Sequence, residues 1–183
     1  MIRLGSKSPT RAKILKAHNI EFIQSGGEFD EDTIRTTNPK SFAYQATLGK
    51  FDELYKKYGV EEYPLLVSDS VVTANNLLLR KAKDKNDAKR MLELQSGNQT
   101  SVISCMKYKS KTLELIDISI TTYIFEKFDE KDMQNYLDSN EWMGKAGAIM
   151  VEEFCKPYIK EVIGYESTAM GLCVEKLKIY LYL

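Results

Sequence analysis

The stretch "SKSPTRAKIL" (residues 6–15) follows the short apolar segment 2–4 and marks the passage from a strand into a helix. Ser8 is suited to cap the start of that helix, because its side-chain oxygen can accept a hydrogen bond from a free backbone N–H group. Pro9 then occupies the first helical position, where proline is favoured. The sequence therefore predicts a strand at 2–4 and a helix from Pro9 to about Ala17.

The start of this helix is also a candidate phosphate-binding site. Free N–H groups at a helix N-terminus attract anions. Ser6 and Ser8 add hydroxyl donors, and the guanidinium of Arg11 can bind a phosphate through two parallel hydrogen bonds. Ser-Pro is also a common helix start, and basic residues are common on exposed helices, so the pattern alone leaves both interpretations open.

The remaining chain alternates helices with strands. We predict further helices at 40–58, from Asp84 or Asn86 to 95, at 129–139 and from about 168, and further strands at 20–24, 63–73, from 75, 99–110, 112–125 and 158–164. The runs 99–110 and 112–125 fit one antiparallel hairpin, so the sheet cannot be wholly parallel. The pattern predicts an α/β fold with a mixed twisted sheet flanked by helices, as two lobes around a cleft.

Bulk composition excludes several classes of protein. Lys and Arg total 26, as do Asp and Glu, so the chain lacks the basic excess typical of proteins that bind nucleic-acid polymers. No apolar run approaches the ~20 residues that span a bilayer, and we expect no membrane association. The three cysteines lie far apart without a C-x-x-C pair, which favours a reduced, cytoplasmic location. The single histidine, His18, falls late in the first helix, so histidine acid–base catalysis is not expected.

Acidic residues and isolated lysines supply candidates for chemistry. The loop 28–32 carries carboxylates that could hold Mg²⁺ or Mn²⁺, although such a run is often a solvated loop. Asp69 follows an apolar strand and is expected near the edge of a sheet, where it could bind a metal, take a proton from water, or only form a turn. Lys50, Lys81 and Lys145 are candidate phosphate ligands, although each alone is weak evidence.

The order of these motifs resembles the Maf family, nucleotide pyrophosphatases also known as septum formation inhibitors. The matching segments are Ser6, Ser8, Pro9 and Arg11; Asp30-Glu31; Lys50; Ser68-Asp69-Ser70; Arg80-Lys81-Ala82; Leu94-Gln95-Ser96-Gly97-Asn98; Lys145-Ala146-Gly147; and Met170-Gly171-Leu172-Cys173. The match spans nearly the whole chain, which we therefore expect to be a single Maf-like domain over residues 1–183.

The resemblance implies a fold similar to inosine triphosphatases, with two lobes around a central anion-binding cleft. It also implies hydrolysis of a nucleoside triphosphate to the monophosphate and pyrophosphate with a divalent metal cation, Mg²⁺ or Mn²⁺. The implied site residues are catalytic Asp69, Glu31 and Lys81; substrate-binding Ser6, Ser8, Arg11, Lys50, Lys145 and Glu152; and the metal ligands Glu31 and Asp69. Asp69 matches the proton acceptor of the family.

Departures from the family pattern leave base specificity open. Glu152 stands where members directed to dTTP and UTP carry Gln, and it resembles the 7-methyl-GTP type, which however has Trp at the position of Thr10 and lacks the lysine matching Lys145. Ala82 and Gly144 also differ, which leaves room for a catalytically weak nucleotide-binding regulator of cell division or septum formation. A phosphomonoesterase is a third alternative, and the sequence does not decide whether the chain forms a homodimer.

Overall fold

The structure, a computed structural model, describes residues 1–181. It begins with strand β1 (Ile2–Leu4), helix α1 (Pro9–Ala17) and strand β2 (Phe22–Gln24). The helix begins where the sequence predicts, and Ser8 Oγ accepts a hydrogen bond from the Arg11 N–H at 3.4 Å. Because β1 and β2 pair in parallel, the loops that follow them leave the same edge of the sheet.

Helix α2 (Pro39–Tyr58) follows the acidic loop and packs one face into the interior. Asn38 Oδ1 caps it by accepting a hydrogen bond from the Ser41 N–H at 3.0 Å. It ends at Gly59, whose φ of +59° lies in a region that favours glycine. The buried residues recur at helical spacing: Phe42, Ala43, Ala46, Thr47, Phe51 and Leu54.

The other predicted elements occur in the predicted order. They are β3 (Leu65–Ala74), β4 (Leu77–Leu79), α3 (Lys85–Gln95), β5 (Gln99–Lys109), β6 (Glu114–Phe125), α4 (Glu130–Ser139), β7 (Ile159–Ile163), α5 (Glu166–Ala169) and α6 (Val174–Leu181), with 3₁₀ turns at Glu31–Thr33 and Lys156–Tyr158. The predicted tail helix is thus two helices, with Gly171 at φ +105° between them.

Seven strands form one mixed sheet in the order β2-β1-β3-β5-β6-β7, with β4 paired to β3. β1 is parallel to β2 and β3, whereas β4 is antiparallel to β3 and β7 is antiparallel to β6. Hydrogen bonds from Ser110 N to Leu113 O and from Phe125 N to Asn98 O close both ends of the β5–β6 hairpin. The predicted mixed α/β fold is confirmed.

One expectation about β3 is wrong. Asp69 does not follow the end of a strand but lies in the middle of β3, which is a central strand of the sheet. The strand continues because Val72 to Ala74 pair with β4 across a turn in which Asn75 and Asn76 both have positive φ. The neighbouring Ser68 and Ser70 hydroxyls find hydrogen-bond partners, so these polar residues are tolerated inside the sheet.

The chain divides into two compact units. The first comprises Met1–Ser70, Ile103–Ser119 and the chain from Tyr165 onward, and its core includes Leu4, Leu15 and Leu66. The second comprises Val71–Val102 and Ile120–Gly164, and contains a cluster of aromatic rings: Phe125, Phe128, Tyr136, Phe154 and Tyr158.

The two units agree in number with the two predicted lobes, whereas the predicted cleft stays a prediction. The single domain over residues 1–183 also stays a prediction, and its last two residues lie outside the described chain. No helix within residues 1–181 has the length and apolar character needed to cross a bilayer.

Candidate active site

The loop after β1 is held close to the sheet. A Cβ at Gly5 would lie 2.6 Å from Leu54 Cδ1 and 2.7 Å from Val67 Cγ2, so only glycine allows this approach without a shift of its neighbours. Gln24 Nε2, at the end of β2, donates hydrogen bonds to the carbonyl oxygens of Ser6 (2.7 Å) and Ser8 (3.2 Å). These contacts hold the predicted phosphate loop against its neighbours.

Ser6 has one hydroxyl proton available for a ligand. Its Oγ accepts hydrogen bonds from Ser8 N at 3.1 Å and from Arg11 Nη1 at 3.1 Å. A hydroxyl oxygen has two acceptor lone pairs and one proton. Because both lone pairs are occupied, the Ser6 proton is directed away from these partners and can be donated to an anion.

Arg11 extends from the first turn of α1 and is fixed by three contacts. Its Nε donates to Gly171 O at 2.9 Å, and its Nη2 donates to Ser70 Oγ at 3.3 Å, in addition to the bond with Ser6. Burial lowers the pKa of Arg11 from its ordinary value, while the negative charges of Asp69 and Glu31 act in the opposite direction. Because an arginine guanidinium keeps its proton throughout the physiological pH range, this side chain is a permanent cation.

Lys50, on α2, bridges two of the predicted acids. Its Nζ donates to Glu31 Oε1 at 2.5 Å and to Asp69 Oδ1 at 2.6 Å. The side chain of Asp69 is only 9% exposed, compared with 23% for Lys50 and 29% for Glu31. Burial acts to lower the pKa of Lys50, but the attraction of Asp69 and the hydrogen bonds to both carboxylates outweigh it, so the pKa is raised.

The acidic loop reaches Lys50 because an aromatic ring anchors it. A Cβ at Gly49 would lie 2.2 Å from the ring of Phe29, so this ring occupies the space beside α2 that a side chain would fill. Asp30 then caps the 3₁₀ turn by accepting a hydrogen bond from Asp32 N at 2.9 Å. The anchored ring and the capped turn bring Glu31 beside Lys50, which is the residue after Gly49 on α2.

The position of Asp69 follows from the difference in strand length. β1 ends at Leu4, which pairs with Leu66 of β3, and the Gly5 N–H still donates to Leu66 O at 2.7 Å. β3 continues beyond that point, so Asp69 follows the stretch of β3 that pairs with β1. Ligands of α/β folds bind at the carboxyl ends of strands. Here Asp69 lies just past the carboxyl end of β1, whereas its own strand, β3, continues to Ala74.

Lys81 and Lys145 belong to the second unit, where their segments pair. Lys81 forms an isolated antiparallel bridge with Ala146, and Gly147 N donates to Arg80 O at 3.0 Å. Gly147 has φ +64°, and a Cβ there would lie 2.7 Å from Val72 Cγ1, which requires glycine at this position. Lys81 is exposed and Lys145 is half-buried.

The structure brings together six of the nine predicted residues within the first unit. They are Ser6, Ser8, Arg11, Glu31, Lys50 and Asp69. Lys81 and Lys145 are neighbours within the second unit, and Glu152 is exposed in a turn of that unit. Convergence of these three residues with Asp69 stays a prediction.

Sequence reasoning missed Ser70, Ser104 and Gly171 as parts of the site. Ser70 and Gly171 contact the Arg11 guanidinium, and Ser104 Oγ is 2.7 Å from Ser70 Oγ. Two of the three stand in segments that match the family, but their contacts with Arg11 span 59 and 160 residues of sequence. No local pattern carries that information.

The donor set around Lys50 fits a divalent cation. Two carboxylates, Glu31 and Asp69, direct oxygen atoms at a single cationic group, and Mg²⁺ is commonly held by one or two carboxylates together with substrate phosphates and waters. Within residues 1–181, no group of three or more Asp, Glu, His or Cys side chains is placed to hold a metal. A metal here would therefore take its remaining ligands from substrate and water.

Comparison with solved structures supports the fold. The chain is similar to the Staphylococcus aureus Ham1 protein with a TM-score of 0.56 and 12% sequence identity, over 99% of this chain and 97% of that one. At this level of identity the likeness concerns the fold alone. It agrees with the predicted architecture of a mixed sheet flanked by helices.

Comparison with curated proteins identifies the family. The chain is 52% identical over 179 residues to the nucleoside triphosphate pyrophosphatase of a Nitratiruptor species, covering 97% of this chain and 96% of that protein. It is 40% identical to the protein of the same name from one strain of Helicobacter pylori, covering 95% and 91%, and 34% identical to that of Campylobacter jejuni, covering 99% and 100%. The family model described as "Maf-like protein" matches residues 1–182 of this chain. The chain belongs to the Maf-like protein family.

Proposed function

We propose that this chain hydrolyses a nucleoside triphosphate to the nucleoside monophosphate and pyrophosphate. The observation that carries the proposal is the group of charges in the first unit, where Lys50 joins Asp69 and Glu31 close to the fixed guanidinium of Arg11. The names of the curated relatives support the same activity.

The cationic groups bind and orient the phosphates. A triphosphate carries about four negative charges, and the free N–H groups of α1, the Ser6 hydroxyl and Arg11 offer donors to it. Lys50 adds a positive charge, and we assign Lys81 and Lys145 to the phosphates from the second unit. Charges placed around the leaving pyrophosphate stabilise the negative charge that grows there in the transition state.

Asp69 accepts a proton from the attacking water. The water oxygen forms a bond to the α-phosphorus, the bond from that phosphorus to the bridging oxygen breaks, and pyrophosphate leaves with the electron pair. The water proton passes to the Asp69 carboxylate, which is the form that pairs with Lys50. A divalent cation, Mg²⁺ or Mn²⁺, would be held by Glu31 and Asp69 and would supply Lewis-acid charge to the phosphates.

The test compares Asp69→Asn with the wild-type chain in pyrophosphate release. The substitution keeps the shape of the side chain but removes the base, so we expect turnover to fall about 100-fold or more. Asp52→Asn, which alters an exposed carboxylate two residues from Lys50 on α2, is the matched control and should leave turnover unchanged. Near-normal turnover of the Asp69 variant would defeat its assignment as proton acceptor.

The substrates for this assay are canonical and modified nucleoside triphosphates, including dTTP, UTP and 7-methyl-GTP, each with Mg²⁺ or Mn²⁺. Because we assign Glu152 to the nucleobase, Glu152→Gln should change the order of preference among them. Release of orthophosphate would indicate a phosphomonoesterase instead, and nucleotide binding without any product would indicate a regulator.

A further inference from the structure

A chain of hydroxyl groups runs from the Arg11 guanidinium into the interior of the first unit. Arg11 Nη2 donates to Ser70 Oγ at 3.3 Å, Ser70 Oγ is 2.7 Å from Ser104 Oγ, and Ser104 Oγ donates to Thr168 O at 2.7 Å. Ser104 lies on β5 and is only 3% exposed. The chain therefore ends on a buried backbone carbonyl.

Counting protons fixes the direction of every bond in this chain. A serine hydroxyl has one proton, and that of Ser104 is donated to the carbonyl of Thr168, which can only accept. Ser104 must then accept the proton of Ser70. Ser70, with its proton used, offers Arg11 only lone pairs, which is what a guanidinium requires because it can only donate.

We propose that Ser104 is a positioning residue, which acts through Ser70 to hold the Arg11 guanidinium in the geometry that binds a triphosphate. The inference rests on the proposed function, since it assigns Arg11 to the phosphates. Ser104 sets the orientation of one hydroxyl, and that hydroxyl then sets the orientation of the cation. Without Ser104, the Ser70 hydroxyl is free to turn its proton toward Arg11, which would place two donors face to face.

Of the three groups that accept hydrogen bonds from Arg11, Ser70 is the one whose orientation Ser104 determines. The Gly171 carbonyl, which accepts from Arg11 Nε, is a backbone group that cannot rotate, and it also lies 2.8 Å from the Ser68 hydroxyl. A Cβ at Gly171 would lie 3.1 Å from Arg11 Nε, so the backbone approaches the guanidinium closely on that side. Ser6 Oγ already accepts from Ser8 N, which restricts its rotation. Ser70 is the partner whose orientation depends on a residue outside the loop.

The experiment measures how tightly wild-type, Ser70→Ala, Ser104→Ala and doubly substituted protein bind inorganic triphosphate, by calorimetry. We expect each single variant to raise the Kd about tenfold, the effect of losing one charge-assisted hydrogen bond. Because Ser104 acts through Ser70, the double variant should bind no more weakly than Ser70→Ala alone. In the nucleotide assay, the same variants should raise KM with little change in kcat.

Ser101→Ala is the matched control. Ser101 also lies on β5 and bonds another hydroxyl, Thr122 Oγ1 at 2.8 Å, but that pair belongs to the second unit rather than to the hydroxyl chain of Arg11. It should bind triphosphate like the wild-type chain. If Ser104→Ala does not fold, Ser104→Cys keeps the size of the side chain with a weaker donor, and it carries the same expectation of a raised Kd.

Two results would overturn the inference: an unchanged Kd for the folded Ser104 variant, or effects of the two serines that add in full in the double variant. Failure of the proposed function looks different. It would appear as wild-type protein that releases no pyrophosphate, whatever the variants do to the binding of inorganic triphosphate.

Discussion

Lys50 joins the two acids of the site through one ammonium group. Both carboxylates lie within 2.6 Å of its ammonium group, and its pKa is raised because their attraction and hydrogen bonds outweigh the effect of burial. A raised lysine pKa stabilises the folded state below the ordinary value of 10.5. That stability is lost as the pH rises through the folded pKa, since the unfolded chain then releases its proton first.

This linkage gives a pH prediction. Between pH 10.5 and the folded pKa, the free energy of unfolding of the wild-type chain should fall more steeply with pH than that of Lys50→Met, which has no proton to lose. At pH 8 the ion cluster is intact, and the wild-type chain should be the more stable of the two. Urea unfolding at pH 8, 10 and 11 measures both curves, and parallel curves above pH 10.5 would contradict the linkage.

At the scale of elements, the packing of Phe29 against Gly49 joins the acidic loop to α2. Glycine inside a helix costs about 1 kcal/mol relative to alanine, so Gly49→Ala alone would be expected to stabilise an isolated helix. Here the added methyl would lie 2.2 Å from the Phe29 ring and displace it. We expect this clash to outweigh the gain in helix propensity and to move Glu31 away from Lys50.

We therefore expect Gly49→Ala to lower both the melting temperature and the rate of pyrophosphate release. In a Phe29→Ala background the clash is absent, and the same substitution should instead raise the melting temperature, because only the gain in helix propensity remains. Thermal unfolding of the four proteins in this cycle measures the change of sign. If Gly49→Ala raised the melting temperature in both backgrounds, packing of the Phe29 ring against α2 would not require glycine at position 49.

The elements also show what the sequence could and could not predict. Helix starts were predictable because capping is local, as at Ser8 and at Asp84, which accepts a hydrogen bond from Asp87 N at 2.9 Å. A strand at 63–73 was also predictable, but the burial of polar residues in its middle was not, because such residues depend on hydrogen-bond partners from distant segments. The hydroxyls beside Asp69 bond Cys105 O, Gly171 O and Ser104, none of which is near in sequence.

For the whole molecule, the equal numbers of basic and acidic side chains predict that the chain does not bind nucleic-acid polymers. With 26 basic and 26 acidic side chains, its electrophoretic mobility should be close to zero near pH 7. We expect it not to bind a labelled single-stranded oligonucleotide at physiological salt, whereas we expect it to bind inorganic triphosphate. Fluorescence anisotropy measures this, and tight binding with a steep dependence on salt would contradict the prediction.

Across the whole chain, the order of motifs predicted the family and the fold class, because that order survives changes at single positions. The partner of each cation was harder to predict. Lys50 was expected to face phosphate, and in the structure it bonds Glu31 and Asp69, 19 residues away on either side. The sequence predicts which charges the chain carries, whereas the fold determines which of them meet.

The pairing of Lys50 with two acids has a consequence for handling the protein. Its Nζ serves as an internal counter-ion, so the facing carboxylates do not need a metal to offset their repulsion while the chain folds. If turnover needs the proposed divalent cation, a chelator should abolish turnover. It should nevertheless leave the thermal midpoint unchanged, because Lys50 still balances the two carboxylates, and melting curves with and without EDTA measure this. A drop in that midpoint would mean that the ammonium group alone does not balance the site.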